Sequence, residues 1–339
     1  MVNIASAIAA LREDRFGGFW QGCTAQERTK LAAGHIDVRY ANWFSGLGMN
    51  LLQLASFVRP AAAQLLLADG HVEIDLHSAC ALGDTRLVEE IIASSPGALD
   101  TQIDTYHPIQ YALGHPEVVR LLLSHGDDPN RPIEKLAWFE WEDRAAMRRV
   151  ARWRPMHMVA LGRSAECVDT AEVLVEFGAD LMAYAEPFAE TPLHIAAIFD
   201  RSAIIRWFVD QGVDVDIPTG IAELDASELF DSTPFQPFVE GGKTALMLAL
   251  GEGHADAAEA LVTAGANVHA RDNGGFTPLH YAAGSFWQEQ PDLVRRLLSL
   301  GALPTPRDAI GRQAIDLARD KGYGTVVAIL ESGHGGVSK

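Results

Sequence analysis

Twelve histidines are the first groups in this chain that could do chemistry, as metal ligands or as acids and bases near neutral pH. Four of them share one recurring setting. His194 stands in Thr191-Pro192-Leu193-His194-Ile195-Ala196, His280 in Thr277-Pro278-Leu279-His280-Tyr281-Ala282, and His77 and His157 in looser copies. A side chain that returns at a fixed place in a repeated hexapeptide is expected to serve the repeat, not a unique active site. His107, His115 and Asp104 lie close together but lack ligand spacing, so no metal is expected there. Cys23, Cys80 and Cys167 form no CxxC pair, and no Gly-rich phosphate loop, nucleophile elbow or zincin motif is present. No catalytic residue and no cofactor is expected from the motifs. One chemical candidate remains in the acidic stretch 217–242. A carboxylate such as Asp231 or Glu223 in an aromatic-lined pocket would have a raised pKa and could act as general acid or base.

The elements that must position these groups follow from the same hexapeptide. Its threonine can cap free N–H groups at a helix start, and proline fits the first helical position, where its missing N–H costs nothing. Leu193 and Ala196 lie on one helical face, and the small alanine lets a neighbouring helix approach. A leucine-rich second helix follows, as in Val118–Leu123 and Leu293–Leu298. Gly126, Gly178, Gly212, Gly265, Gly301 and Gly333 are expected to close these second helices in the left-handed conformation. Short extended stretches such as 266–272 come next. The unit is helix, turn, helix, finger, and its copies begin at 74, 107, 154, 191, 244, 277 and 312. Their spacings are 33, 47, 37, 53, 33 and 35 residues. Periods of this length indicate a stacked helical solenoid.

The Thr-Pro-Leu-His-x-Ala start on a 33-residue period resembles the ankyrin repeat family. The resemblance covers roughly 50–333, with a degenerate unit at Asn50–Ala55 preceding seven clearer ones. It implies an all-α ankyrin-repeat solenoid of about seven to eight helix-turn-helix units with fingers. The expected organisation is a helical N-terminal cap over 1–48, the solenoid over 49–333 and a tail over 334–339. Thr24-Ala25-Gln26-Glu27 has capping-box spacing within that first segment. The family also implies binding, since its fingers and first helices are the usual recognition surface, and it implies that the motif histidines hold neighbouring loops. Three widely spaced cysteines suit a reducing compartment, and no apolar run approaches a membrane span, so a cytoplasmic location is expected. A net charge of −18 disfavours nucleic acid and anionic membranes as partners and favours a basic one.

The spacings of 47 and 53 mark two long finger insertions, near 131–153 and 217–242. The first reads as a basic aromatic helix over Ile133–Val150, carrying Trp138 and Trp141. The second is acidic, rich in Pro and Gly, and carries Asp231, Phe235 and Phe238. Long insertions on one side of a solenoid commonly mark its binding face. The expected partner-binding residues are Trp138 and Trp141, then Tyr184 and Phe188 in the finger between the insertions. Met158, Ile195, Phe199, Leu248 and Tyr281 of the first helices join them, with Asp231, Phe235 and Phe238. The leading expectation is a non-catalytic protein-protein interaction module that holds a peptide or protein segment in its concave groove. The alternative is a small-molecule binder or enzyme whose pocket the two insertions close.

Overall fold

A computed structural model describes residues 7, 10, 15–32, 52, 55, 60–68, 74–103, 106–133, 137–141, 144–150, 152–162, 166–185, 189–220 and 241–333. The chain divides into two compact units. One comprises Met1–Val159 with Ser164–Ala179, and the other Ala160–Arg163 with Asp180–Lys339.

The first unit begins with α1 (Phe16–Gly22) and α2 (Ala25–Ala32), followed by α3 (Pro60–Ala68). The capping box ahead of α2 is formed: Thr24 N–H and hydroxyl both donate to Glu27 Oε2, at 2.9 and 2.8 Å, and Glu27 N–H donates back to Thr24 Oγ1 at 3.3 Å. Helix pairs then repeat as α4 (Leu76–Leu82) with α5 (Thr85–Ser94), α6 (Pro108–Tyr111) with α7 (Pro116–Ser124), and α8 (Pro155–Val159) with α9 (Glu166–Glu176). First helices pack in series, α4 on α6 on α8, and second helices likewise, α5 on α7 on α9. The apolar face of each second helix points into this stack: Val118, Val119, Leu122 and Leu123 of α7 are all buried.

The first insertion corrects a sequence expectation. Ile133–Val150 is not a helix. It forms an antiparallel hairpin of β1 (Ala137–Trp141) and β2 (Arg144–Val150), with Trp138 opposite Arg149 and Trp141 opposite Arg144. The reason lies at its base, where the buried Ile133 N–H donates to the carbonyl of buried Trp153 at 2.9 Å. A helix of this length would hold its ends about 27 Å apart. A hairpin brings them together, as the closed neck requires.

The second unit repeats the scheme with α10 (Pro192–Ile198) and α11 (Ser202–Asp210), α12 (Ala245–Glu252) and α13 (Ala255–Thr263), α14 (Pro278–Ala283) and α15 (Pro291–Ser299), then α16 (Ala314–Lys321) and α17 (Gly324–Gly333). First helices run in series from α10 to α12, α14 and α16, while α11 packs on α13 and α15 on α17. Ala196, Ala197, Ala249, Ala282 and Ala283 are fully buried, which is the close helix approach that small residues permit. Second helices end as expected at Gly126, Gly178, Gly212, Gly265 and Gly301, all with φ between +81° and +95°. Gly333 instead lies within the last turn of α17.

Three first helices close on a left-handed residue too: Gly83, Gly253 and Gly322. After α10 that place is taken by Asp200, at φ +58°. An aspartate tolerates this region better than most side chains, and here it has a second use. Its Oδ1 accepts from Ala257 N–H at 2.9 Å, near the start of α13 in the next repeat. His254, the N-cap of α13, makes no side-chain cap of its own. Its Nε2 instead bonds the Ile198 carbonyl of α10 at 2.8 Å.

Candidate functional site

Two motif histidines, His194 and His280, link successive repeats. In the second unit, His194 Nδ1 accepts from Thr191 N–H at 3.1 Å and from the Thr191 hydroxyl at 2.8 Å, so the ring proton sits on Nε2. That Nε2–H donates to the Lys243 carbonyl at 3.1 Å, just before the next helix cap. His280 repeats the pattern with Thr277 and the Arg312 carbonyl. Burial pushes the His194 imidazole down to about 4, so it is neutral at pH 7. Burial also lowers His280 and His77. In the first unit, where the motif histidine is replaced, Gln110 does the same work. Its Oε1 accepts from His107 N–H at 2.7 Å and its Nε2 donates to the Arg131 carbonyl at 3.0 Å. These groups are committed to structure. Among the described residues no cluster of three His, Cys, Asp or Glu side chains is arranged to hold a metal.

The fingers of the second unit join into a ladder. Ala185 and Glu190 pair as the base of one finger. Gly220 N–H then donates to the Ala189 carbonyl, Asn273 N–H to Gly241, and Ala309 N–H to Gly274. A Cβ on Gly220 would meet that of Ala189 at 2.5 Å, so only glycine permits this approach. The second insertion leaves the ladder through a closed neck. Thr219 N–H donates to the Lys243 carbonyl and Gly242 N–H to the Thr219 carbonyl, both at 2.8 Å, while Lys243 N–H donates to Thr219 Oγ1 at 3.0 Å.

Beside this neck lies the exposed apolar surface of the finger over 180–185. Burial alternates along it, with Ala183 and Ala185 buried and Met182 and Tyr184 exposed at 52% and 48%. The Tyr184 hydroxyl reaches the Pro218 carbonyl of the next finger at 3.4 Å. Met182 is the more unusual of the two. Four residues past the glycine that closes the second helix, the first unit has Asn130, whose amide donates to the Gly178 carbonyl at 3.0 Å. The next finger of the second unit has Asp216, which accepts from Asn267 N–H at 2.9 Å. At that same place Met182 offers an apolar side chain to solvent.

The sequence-predicted residues divide as follows. Trp138 and Trp141 lie on β1 and half-buried Met158 on α8, in the first unit. The others that are described belong to the second unit. Tyr184 is exposed on its finger. Ile195 is fully buried and Leu248 nearly so, so neither offers surface to a partner. Phe199 is half-buried at the end of α10. Tyr281 is half-buried, and its hydroxyl donates to Asp272 Oδ2 at 2.7 Å. Phe188, Asp231, Phe235 and Phe238 fall outside the described residues, as does Glu223. Met182 and Pro218 were missed.

Paired helices stacked in two series, with fingers laddered along one edge of each repeat, define a helical repeat protein. Comparison with known proteins gives the family. A profile for ankyrin repeats in three copies matches residues 227–308, and single ankyrin-repeat profiles match 188–217 and 104–133. The chain belongs to the ankyrin repeat family. Among its relatives, a putative E3 ubiquitin-protein ligase, XBAT34 of Arabidopsis thaliana, is 40% identical over 94 residues, 27% of this chain and 24% of that protein. Protein phosphatase 1 regulatory subunit 27 of Homo sapiens is 43% identical over 61 residues, 18% of this chain and 38% of that protein. The matched segments thus span well under half of either relative.

Proposed function

We propose that this chain is a protein-protein interaction module that binds a peptide or protein segment on the finger face of its second unit. The observation that carries this reading is that Met182 and Tyr184 are both exposed on a finger pinned by backbone bonds, next to the neck of the acidic insertion. Large apolar side chains held in the open by a rigid frame are what a binding surface needs. A partner gains their burial without first having to order them. The ankyrin repeats themselves and the partial likeness to a phosphatase regulatory subunit support the same class of function.

The test is a selection of ligands from a displayed library of randomised peptides on the full chain. Affinities are then measured for Met182→Ser/Tyr184→Ser and for a chain in which Gly220 is joined to Gly241. The double substitution is expected to weaken selected peptides at least tenfold. Peptides that bind both variants as tightly as the parent would overturn the placement of the site.

A further inference from the structure

The chain carries −18 overall, yet the finger face of its second unit ends in cations. The fingers correspond position by position, counted from the glycine that closes each second helix. Six residues past Gly178, Gly212, Gly265 and Gly301 stand Tyr184, Pro218, Arg271 and Arg307, and all four are exposed. Three contacts set their order in space. The Tyr184 hydroxyl meets the Pro218 carbonyl, Asp216 of the second finger holds Asn267 N–H of the third, and the Arg271 guanidinium donates to the Arg307 carbonyl. Arg271 and Arg307 bond only to backbone carbonyls among the described residues, and neither forms an ion pair with a described carboxylate. The described acids nearby are otherwise engaged. Asp308 is buried against Arg312, and Asp272 is buried under the Tyr281 hydroxyl and Phe276 N–H. Exposed Asp214 and half-buried Asp216 belong to the second finger, and Asp216 is engaged with Asn267 N–H.

We infer that this row binds an extended acidic segment of a partner protein, with an apolar residue seated at Met182 and Tyr184 and carboxylates at Arg271 and Arg307. This rests on the finger-face reading above and names the partner it takes. Net charge suggests a basic partner, but at physiological salt a charge is screened beyond about 8 Å, so contact residues decide and not the distant total. Guanidinium groups whose remaining N–H donors meet no described acceptor are well matched to carboxylates, which they can hold by two parallel bonds. The length follows from the stacking. Neighbouring repeats lie about 10 Å apart, so Tyr184 to Arg307 spans three steps, about 30 Å. An extended chain rising about 3.3 Å per residue covers that in about nine residues. The row of Tyr184, Pro218 and the two arginines thus fits a short linear motif, apolar at one end and acidic at the other.

The same peptide selection tests it. A library of twelve randomised residues is selected on the full chain and, in parallel, on Arg271→Glu/Arg307→Glu, whose folding is checked by circular dichroism because these side chains also bond the Arg307 and Gly311 carbonyls. Parent-selected peptides are expected to join an aromatic or aliphatic residue to a run of Asp and Glu. They should lose at least tenfold in affinity on the charge-reversed variant and weaken steeply between 50 and about 300 mM salt. Peptides that are basic, or that bind the charge-reversed variant equally well, overturn the acidic assignment. If such peptides still depend on Met182 and Tyr184, the finger-face site survives and only the partner class fails. If they depend on neither pair, or if no sequence is enriched, both readings fail.

Discussion

His194→Gln should make this protein less sensitive to acid while leaving it nearly as stable at neutral pH. The buried imidazole titrates at about 4 in the folded chain and at about 6.5 when unfolded. A depressed folded pKa means that the unfolded chain takes up a proton first as pH falls. The stability linked to this group is therefore intact above pH 6.5 and is lost progressively down to about pH 4, below which both states are protonated. At about 1.4 kcal/mol per pH unit, the full window is worth about 3.5 kcal/mol, and roughly 2.5 kcal/mol of it falls between pH 7.5 and 4.5. Glutamine does not titrate, and Gln110 demonstrates that an amide at this place can accept from the cap N–H and donate to a finger carbonyl. Urea unfolding of both proteins, followed by tryptophan fluorescence and circular dichroism at several pH values, supplies the comparison. His77 and His280 are common to both and cancel in the difference. The variant should lie within about 1 kcal/mol of the parent at pH 7.5 and should overtake it by pH 4.5. Stability curves that stay parallel across this range would refute the reasoning.

Three further outcomes follow from the geometry. Asp200→Ala removes the acceptor for Ala257 N–H and places a β-carbon at φ +58° with no compensating bond, so it should cost about 1–3 kcal/mol in urea unfolding, whereas Asp200→Asn should cost much less. Joining Gly220 to Gly241 removes 221–240 above a neck closed by three hydrogen bonds. The shortened chain should keep its circular dichroism spectrum and unfold within about 1 kcal/mol of the parent. Phe208→Ala empties a fully buried site in α11 and should cost about 3–5 kcal/mol, while Met182→Ser and Tyr184→Ser, on exposed positions, should each stay within about 0.5 kcal/mol by thermal melting.

Much of the fold was legible because its signals are local. The Thr-Pro start acts within one helical turn, and the closing glycine depends on one residue's own backbone. The capping box at Thr24 and Glu27 needs a span of four residues and nothing else. Periodicity then multiplied these weak local signals into a family assignment. The insertion at 133–150 was misread because its apolar positions fit a helical face as well as a hairpin. Only the pairing of Ile133 with Trp153, 20 residues apart, selects the hairpin.

The candidate site divides along the same line. By itself the sequence determined the repeat, the capping residues, the structural duty of the histidines and the places where the chain departs from its period. All of these follow from residue type at a fixed spacing. Tertiary structure decided which of the apolar residues face solvent. Ile195, Leu248 and Tyr281 occupy one motif position, yet Ile195 is sealed, Leu248 nearly so, and Tyr281 is half-buried and tied to Asp272. Met182, which no motif marks, stands exposed where other fingers place a polar link. Burial depends on what the neighbouring repeats bring against a side chain, and that is a property of the stack, not of the unit.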